Sequence, residues 1–83
     1  MKPLNNYINK AIYEDLINRY QKTTINKREL ANELGVSVST VNNNIVQGYG
    51  VEYVKLGEAK NATVVFPIIC VANYLSNTIK VAA

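Results

Sequence analysis

Histidine is absent from this chain of 83 residues, and cysteine occurs once, at Cys70. Together these exclude a disulfide within the chain and any His/Cys zinc site. Charged residues make up only 18%, too few for a disordered tail, while a hydrophobic content of 48% suffices for a single core. No apolar run approaches the roughly 20 residues that span a bilayer. The stretch Met1-Lys2-Pro3-Leu4-Asn5-Asn6 lacks the apolar centre of a signal peptide. The expectation is one soluble, cytoplasmic domain over residues 1–83 with no membrane partner. Catalytic equipment is missing as well: there is no histidine, no pair of carboxylates in a plausible cleft and no glycine loop to cradle a phosphate. No enzyme, cofactor or metal is expected. Cys70, inside Phe66-Pro67-Ile68-Ile69-Cys70-Val71, reads as a small buried hydrophobe.

What remains is mildly basic. Nine lysines and arginines against six carboxylates leave a net charge of +3, which permits a polyanionic partner without demanding one. The twelve asparagines fit the codon bias of an AT-rich genome, so their total carries no functional reading.

Along the chain, Ile8, Ala11, Ile12, Leu16 and Ile17, joined by Tyr13 and Tyr20, recur at helical spacing and predict an amphipathic helix from Asn5 to Tyr20. Asp15 and Arg19 stand four apart, a helix-supporting pair. Thr23-Thr24-Ile25-Asn26 reads as a connector whose Asn26 caps the next helix, with Glu29 completing a capping box. That helix runs from Lys27 to Leu34 and buries Leu30, Ala31 and Leu34, and Gly35 ends it. Ser37 caps a third helix, Val38 to Gln47, which Gly48 and Gly50 break. Glu52–Leu56 and Thr63–Phe66 are β-prone runs around the polar turn Gly57–Ala62, giving a hairpin. Pro67 suits the first turn of a last helix, Ile68 to Asn77, whose Val71, Ala72 and Leu75 face the core.

The order is helix, helix–turn–helix, hairpin, helix: mainly α with a small β-hairpin, a winged helix–turn–helix. Its expected parts are an N-terminal helix and connector (1–26), the helix–turn–helix (27–47), the wing (51–66) and the closing helix (67–77). Steric needs support the central pair. Ala31 is small where two helices cross closely, and Gly35 lets the chain reverse. Val36 would plug the crossing from the turn, and Val41 would pack back from the third helix. One position departs: Asn44, three after Val41, stands where such motifs are often apolar, so Ile45 and Val46 would have to anchor the helix.

The third helix carries no charge. Its outward candidates are Ser39, Thr40, Asn42, Asn43 and Gln47, and Asn or Gln can pair bidentately with adenine at ~1–3 kcal/mol of discrimination per contact. With no arginine to read guanine, an A·T-rich duplex is the expected target. Positive charge must come from elsewhere: Lys27 and Arg28 at the start of the second helix, and Lys55 and Lys60 on the hairpin, with Lys60 at its tip. The Ser37 hydroxyl and the helix N-terminal amides add uncharged phosphate donors. So few cations imply modest, salt-sensitive affinity for a monomer, hence a homodimer or cooperative multimer on DNA. Tyr49 and Tyr53, flanking the hairpin start, read as cover for the core edge.

From Arg28 to Ser76 the chain resembles the small excisionase and prophage-regulator group of winged helix–turn–helix proteins, which includes pyocin-activator-like proteins and has a MerR-like DNA-binding fold. The resemblance rests on Glu29-Leu30-Ala31 through Gly35-Val36-Ser37, then Ser39-Thr40-Val41, Gly48, Tyr53-Val54-Lys55-Leu56-Gly57, and Val65-Phe66-Pro67 leading into Val71-Ala72-Asn73-Tyr74-Leu75. It implies a third helix in the major groove, carrying Ser39, Thr40, Asn42 and Asn43, and a wing, with Lys60, on the adjacent backbone or minor groove. Two features depart from the group: the reading helix lacks arginine, and the N-terminal helix is longer than a minimal excisionase needs, leaving it as a dimerisation or partner surface. The expected function is a regulator of prophage or mobile-element genes. The alternatives are an excisionase bending DNA for an integrase, and a protein-binding adaptor or anti-repressor on the same fold. Integrase and RNA polymerase are the protein partners these roles would bring.

Overall fold

A computed structural model describes residues 8–58 and 62–77. They form four helices and a three-stranded antiparallel sheet: α1 (Lys10–Tyr20), β1 (Thr24–Ile25), α2 (Lys27–Leu34), α3 (Val38–Gln47), β2 (Val54–Leu56), β3 (Thr63–Pro67) and α4 (Ile68–Ser76). Residues 1–7, 59–61 and 78–83 lie outside the described residues, and with them the expected helical stretch Asn5–Tyr7 and the Lys60 tip.

Local capping chemistry sets the helix limits. Asn9 is extended, and its side-chain oxygen accepts the amides of Ala11 at 2.9 Å and Ile12 at 3.2 Å. This cap starts α1 at Lys10, five residues later than the apolar spacing predicts, and leaves it 11 residues long. The Asn9 amide donates to Ser76 Oγ at 2.7 Å, while the Ser76 hydroxyl donates to the Ala72 carbonyl at 2.6 Å. One serine thus ties the start of α1 to the end of α4.

At α2 the expected capping box is complete. Asn26 Oδ1 accepts the Glu29 amide at 2.7 Å, and Glu29 Oε1 accepts the Asn26 amide at 3.0 Å. The helix closes in a Schellman motif: Val36 N–H reaches the Ala31 carbonyl at 2.9 Å and Gly35 N–H the Asn32 carbonyl at 3.3 Å. That closure puts Gly35 at φ 72°, a left-handed conformation costly for a residue with a Cβ. Ser37 Oγ then accepts the Thr40 amide at 3.1 Å and opens α3. The limits of α2 and α3 coincide with those read from the sequence.

The sheet is larger than expected. Thr24 and Ile25, read as connector, form a strand opposite Pro67 and Phe66, so the sheet order is β1-β3-β2. The Ile68 amide donates to the Thr23 carbonyl at 2.7 Å and extends this junction. Ile25 and Phe66, directly opposite, are both buried, and burying that pair holds so short a strand in place. On the other side β2 starts at Val54 rather than Glu52, with Val54, Lys55 and Leu56 facing Val65, Val64 and Thr63. Strand β3 runs one residue further than expected, to Pro67, and α4 ends one residue earlier, at Ser76.

One contiguous core joins these layers: Leu16 from α1, Ile25 from β1, Leu30 and Ala31 from α2, Val41 from α3, Val51, Val64 and Phe66 around the sheet, and Ile68, Val71 and Ala72 from α4. Leu34, Leu75 and Cys70 are half-buried against it, so Cys70 lies at the core's edge rather than within it. Three further assignments need correction. Ala11 is exposed rather than buried. Val36 lends the crossing its amide, not its side chain, which is 39% exposed. Ile45 packs on the core, but Val46 is 83% exposed and anchors nothing. Asn44 is half-buried beside Gly50, where an added Cβ would lie 3.3 Å from the Asn44 Cβ. A small residue at position 50 is what lets a polar side chain occupy that rim.

Asn26→Ala removes one half of the capping box and should lower stability by about 1 kcal/mol. Urea denaturation would register this as a lower midpoint with an unchanged slope.

Candidate functional site

Helix α3 has two unlike faces. Val41 is buried, and Asn44 and Ile45 are half-buried on the same side. Ser39, Thr40, Asn42, Asn43 and Gln47 are all exposed, as the helical period requires of residues turned away from Val41. The five residues singled out from the sequence therefore share one uncharged, solvent-facing surface. Val46 belongs to it too. At 100° per residue it falls roughly 140° from Val41, so the helical period, rather than its apolar character, sets its exposure.

The start of α3 adds donors. Ser37 Oγ lies 3.1 Å from Thr40 Oγ1 as well as accepting the Thr40 amide, so both hydroxyls cluster at the cap. The first amides of a helix have no intrahelical acceptor and carry its positive dipole end. A shallow groove runs beside this point, and its lining includes Arg28 and Asn32 from α2 together with Ser37 and Val38. The fold thus brings Arg28 and Ser37 to one concavity. A second groove joins the end of α3 to the approach to β2. Asn44, Ile45 and Gly48 line it with Tyr49, which is 63% exposed, and Tyr53, whose ring meets Phe66 edge-on at 6.1 Å. Tyr53 covers the core edge as expected. Lys55 is exposed on the edge strand β2, opposite Val64.

Ion pairing sorts the cations into two sets. Arg19 forms a two-pronged contact with Glu33, at 3.0 and 2.9 Å, and also holds Asp15 at 2.9 Å. The Tyr20 hydroxyl donates to Glu33 at 2.7 Å, and Lys22 pairs with Glu29 at 3.0 Å. Sequence spacing gave the Asp15–Arg19 pair but not Glu33, because that contact joins α1 to α2 through the fold. Among the described residues Lys10 on α1, Lys27 and Arg28 on α2 and Lys55 on β2 form no ion pair. Asp15 and Glu33 are thus committed to Arg19 and Glu29 to Lys22, whereas Arg28 and Lys55 stand exposed and Lys27 half-buried without a carboxylate partner among the described residues.

The titrating groups carry the same imprint. The Arg19 guanidinium holds the Glu33 carboxyl below the ordinary glutamate value, and the Asn26 amide, then Lys22, does the same for Glu29. Burial, then the hydrogen bond to Glu33, pushes the Tyr20 phenol up. Burial, then the charge of Glu52, pushes the Cys70 thiol up and away from the thiolate form that reacts.

Among the described residues no group of three or more histidine, cysteine or carboxylate side chains is arranged to hold a metal ion. None of their helices is long and apolar enough to cross a membrane. Comparison with protein-family models, curated proteins and solved structures returns no match.

Because its value is lowered in the folded chain, Glu33 contributes stability that is complete above the ordinary glutamate value and is lost as pH falls through the lowered one. Wild type should therefore exceed Glu33→Gln in urea midpoint at neutral pH, and the gap should close on acidification. A gap that stays constant with pH would count against the Arg19–Glu33 contact.

Proposed function

We propose that this chain is a sequence-specific double-stranded DNA-binding protein of winged helix–turn–helix design, with α3 in the major groove. The observation that carries the reading is the outer face of α3. Five polar residues stand exposed on one uncharged surface, and Arg28, free of ion pairs among the described residues, shares a groove with the Ser37 cap at its base. An exposed helix of this width fits a major groove about 12 Å across. Asn42 and Asn43 offer the donor–acceptor pair that adenine N7 and N6 require, and Gln47 offers the same one turn on.

The division of labour follows from chemistry. Uncharged side chains on α3 discriminate between bases, and the cations beside it hold the phosphates. Arg28 and the Ser37 cap, sharing one groove, suit a single phosphate between α2 and α3. Lys27 and Lys55 extend the positive surface, and the β2–β3 hairpin serves as the wing. Lacking a guanine-reading arginine on α3, the protein selects an A·T-rich site, bound as a dimer or as adjacent copies because each chain supplies few cations. The role assigned is control of mobile-element or prophage genes. An excisionase would be set apart by a long contiguous footprint.

Mobility-shift titrations on A·T-rich duplexes at low and moderate salt test the reading, and absence of binding at low salt would sink it. Asn42→Ala should lose ~1–3 kcal/mol of preference for adenine at one position. Lys27→Ala should instead weaken all duplexes alike and flatten the salt slope by about one unit.

A further inference from the structure

Val46 is the most exposed large hydrophobic side chain among the described residues, at 83%. It stands on α3 four residues after Asn42 and seven after Ser39, spacings that put all three on the same outward surface. Among the described residues nothing packs on it. The core is closed at this level by Val41 and Ile45, and a β-branched residue on an exposed helix position lowers helix propensity slightly. The rest of that surface is polar and uncharged, so Val46 is an isolated apolar group between hydrogen-bonding ones.

The major groove offers one apolar feature, the C5-methyl of thymine. We propose that Val46 is a specificity-determining residue that reads a thymine methyl group. The inference rests on the DNA-binding reading above and sharpens it. Asn42 or Asn43 selects an adenine, and Val46 selects a thymine displaced toward the C-terminal end of α3. Four residues of helix advance about 6 Å, so the thymine lies within about two base steps of that adenine, at 3.4 Å per step. The chemistry that recognises this partner is dispersion and exclusion of water from a methyl group, with no hydrogen bond.

The test uses the duplex selected by the full chain from a random library, with each thymine replaced singly by deoxyuridine, which removes only the methyl. For wild type, one thymine per bound copy should weaken binding about fourfold on replacement, the worth of one buried methyl. Val46→Ala should bind the two duplexes equally and keep the wild-type salt slope. Val46→Thr, which retains one methyl, should keep a reduced preference. Because Val46 is exposed, neither variant should fall appreciably below wild type in urea midpoint, and Val46→Ala should rise slightly with its better helix propensity. Wild type indifferent to every thymine methyl, or Val46→Ala as sensitive as wild type, overturns the role of Val46 and leaves DNA binding standing. Selection of no duplex at all overturns the DNA-binding reading, and this inference with it.

Discussion

Strand β3 is hydrogen-bonded on both sides, and the rest of the fold depends on that double pairing. On one edge it takes β1, which arrives directly before α2; on the other it takes β2, which follows α3. Phe66, next to its C-terminal end, is buried in the core that the helices share and lies opposite Ile25. The α2–α3 pair is therefore clamped at both chain ends to one strand. Truncating Phe66 to alanine would cost about 3–5 kcal/mol, a large share of the stability of so small a domain.

From that clamp the exposed face of α3 follows. With Val41 in the core and Ile45 packed on it, the helix cannot rotate without unburying apolar surface, so Ser39, Asn42, Asn43 and Val46 must face solvent. Charge is partitioned by the same architecture. Arg19 and Lys22 are committed to carboxylates around the α1–α2 junction, and Lys27, Arg28 and Lys55, like Lys10 at the start of α1, form no ion pair among the described residues. A neutral surface that can discriminate, beside cations that can hold a polyanion, is the physical basis of the function proposed.

How much of this was legible in the sequence depended on the range of the interaction. The limits of α2 and α3 could be read directly, because Asn26 with Glu29, Gly35, Ser37 and Gly48 act within a few residues of themselves. Strand β1 could not: Thr24 and Ile25 pair with Pro67 and Phe66, more than forty residues away, and no local pattern marks a two-residue strand. The start of α1 was misplaced because Asn9 lies inside a helical apolar pattern and only its cap geometry ends it. Glu33 was missed as a partner of Arg19 for the same reason as β1. Val46 is the instructive case. Its position on the helical wheel points outward although its apolar character suggests an inward anchor in place of Asn44, whose place at the rim is made possible by Gly50.

The central claim is that the outer face of α3, rather than α1 or the sheet, meets DNA. Amide chemical-shift mapping of the isotope-labelled chain during titration with its selected duplex tests this most directly. The account predicts the largest shifts at Ser37 to Gln47 and at Lys27 and Arg28, with α1 and α4 nearly unmoved. Shifts concentrated on α1 or α4, with α3 silent, would contradict it.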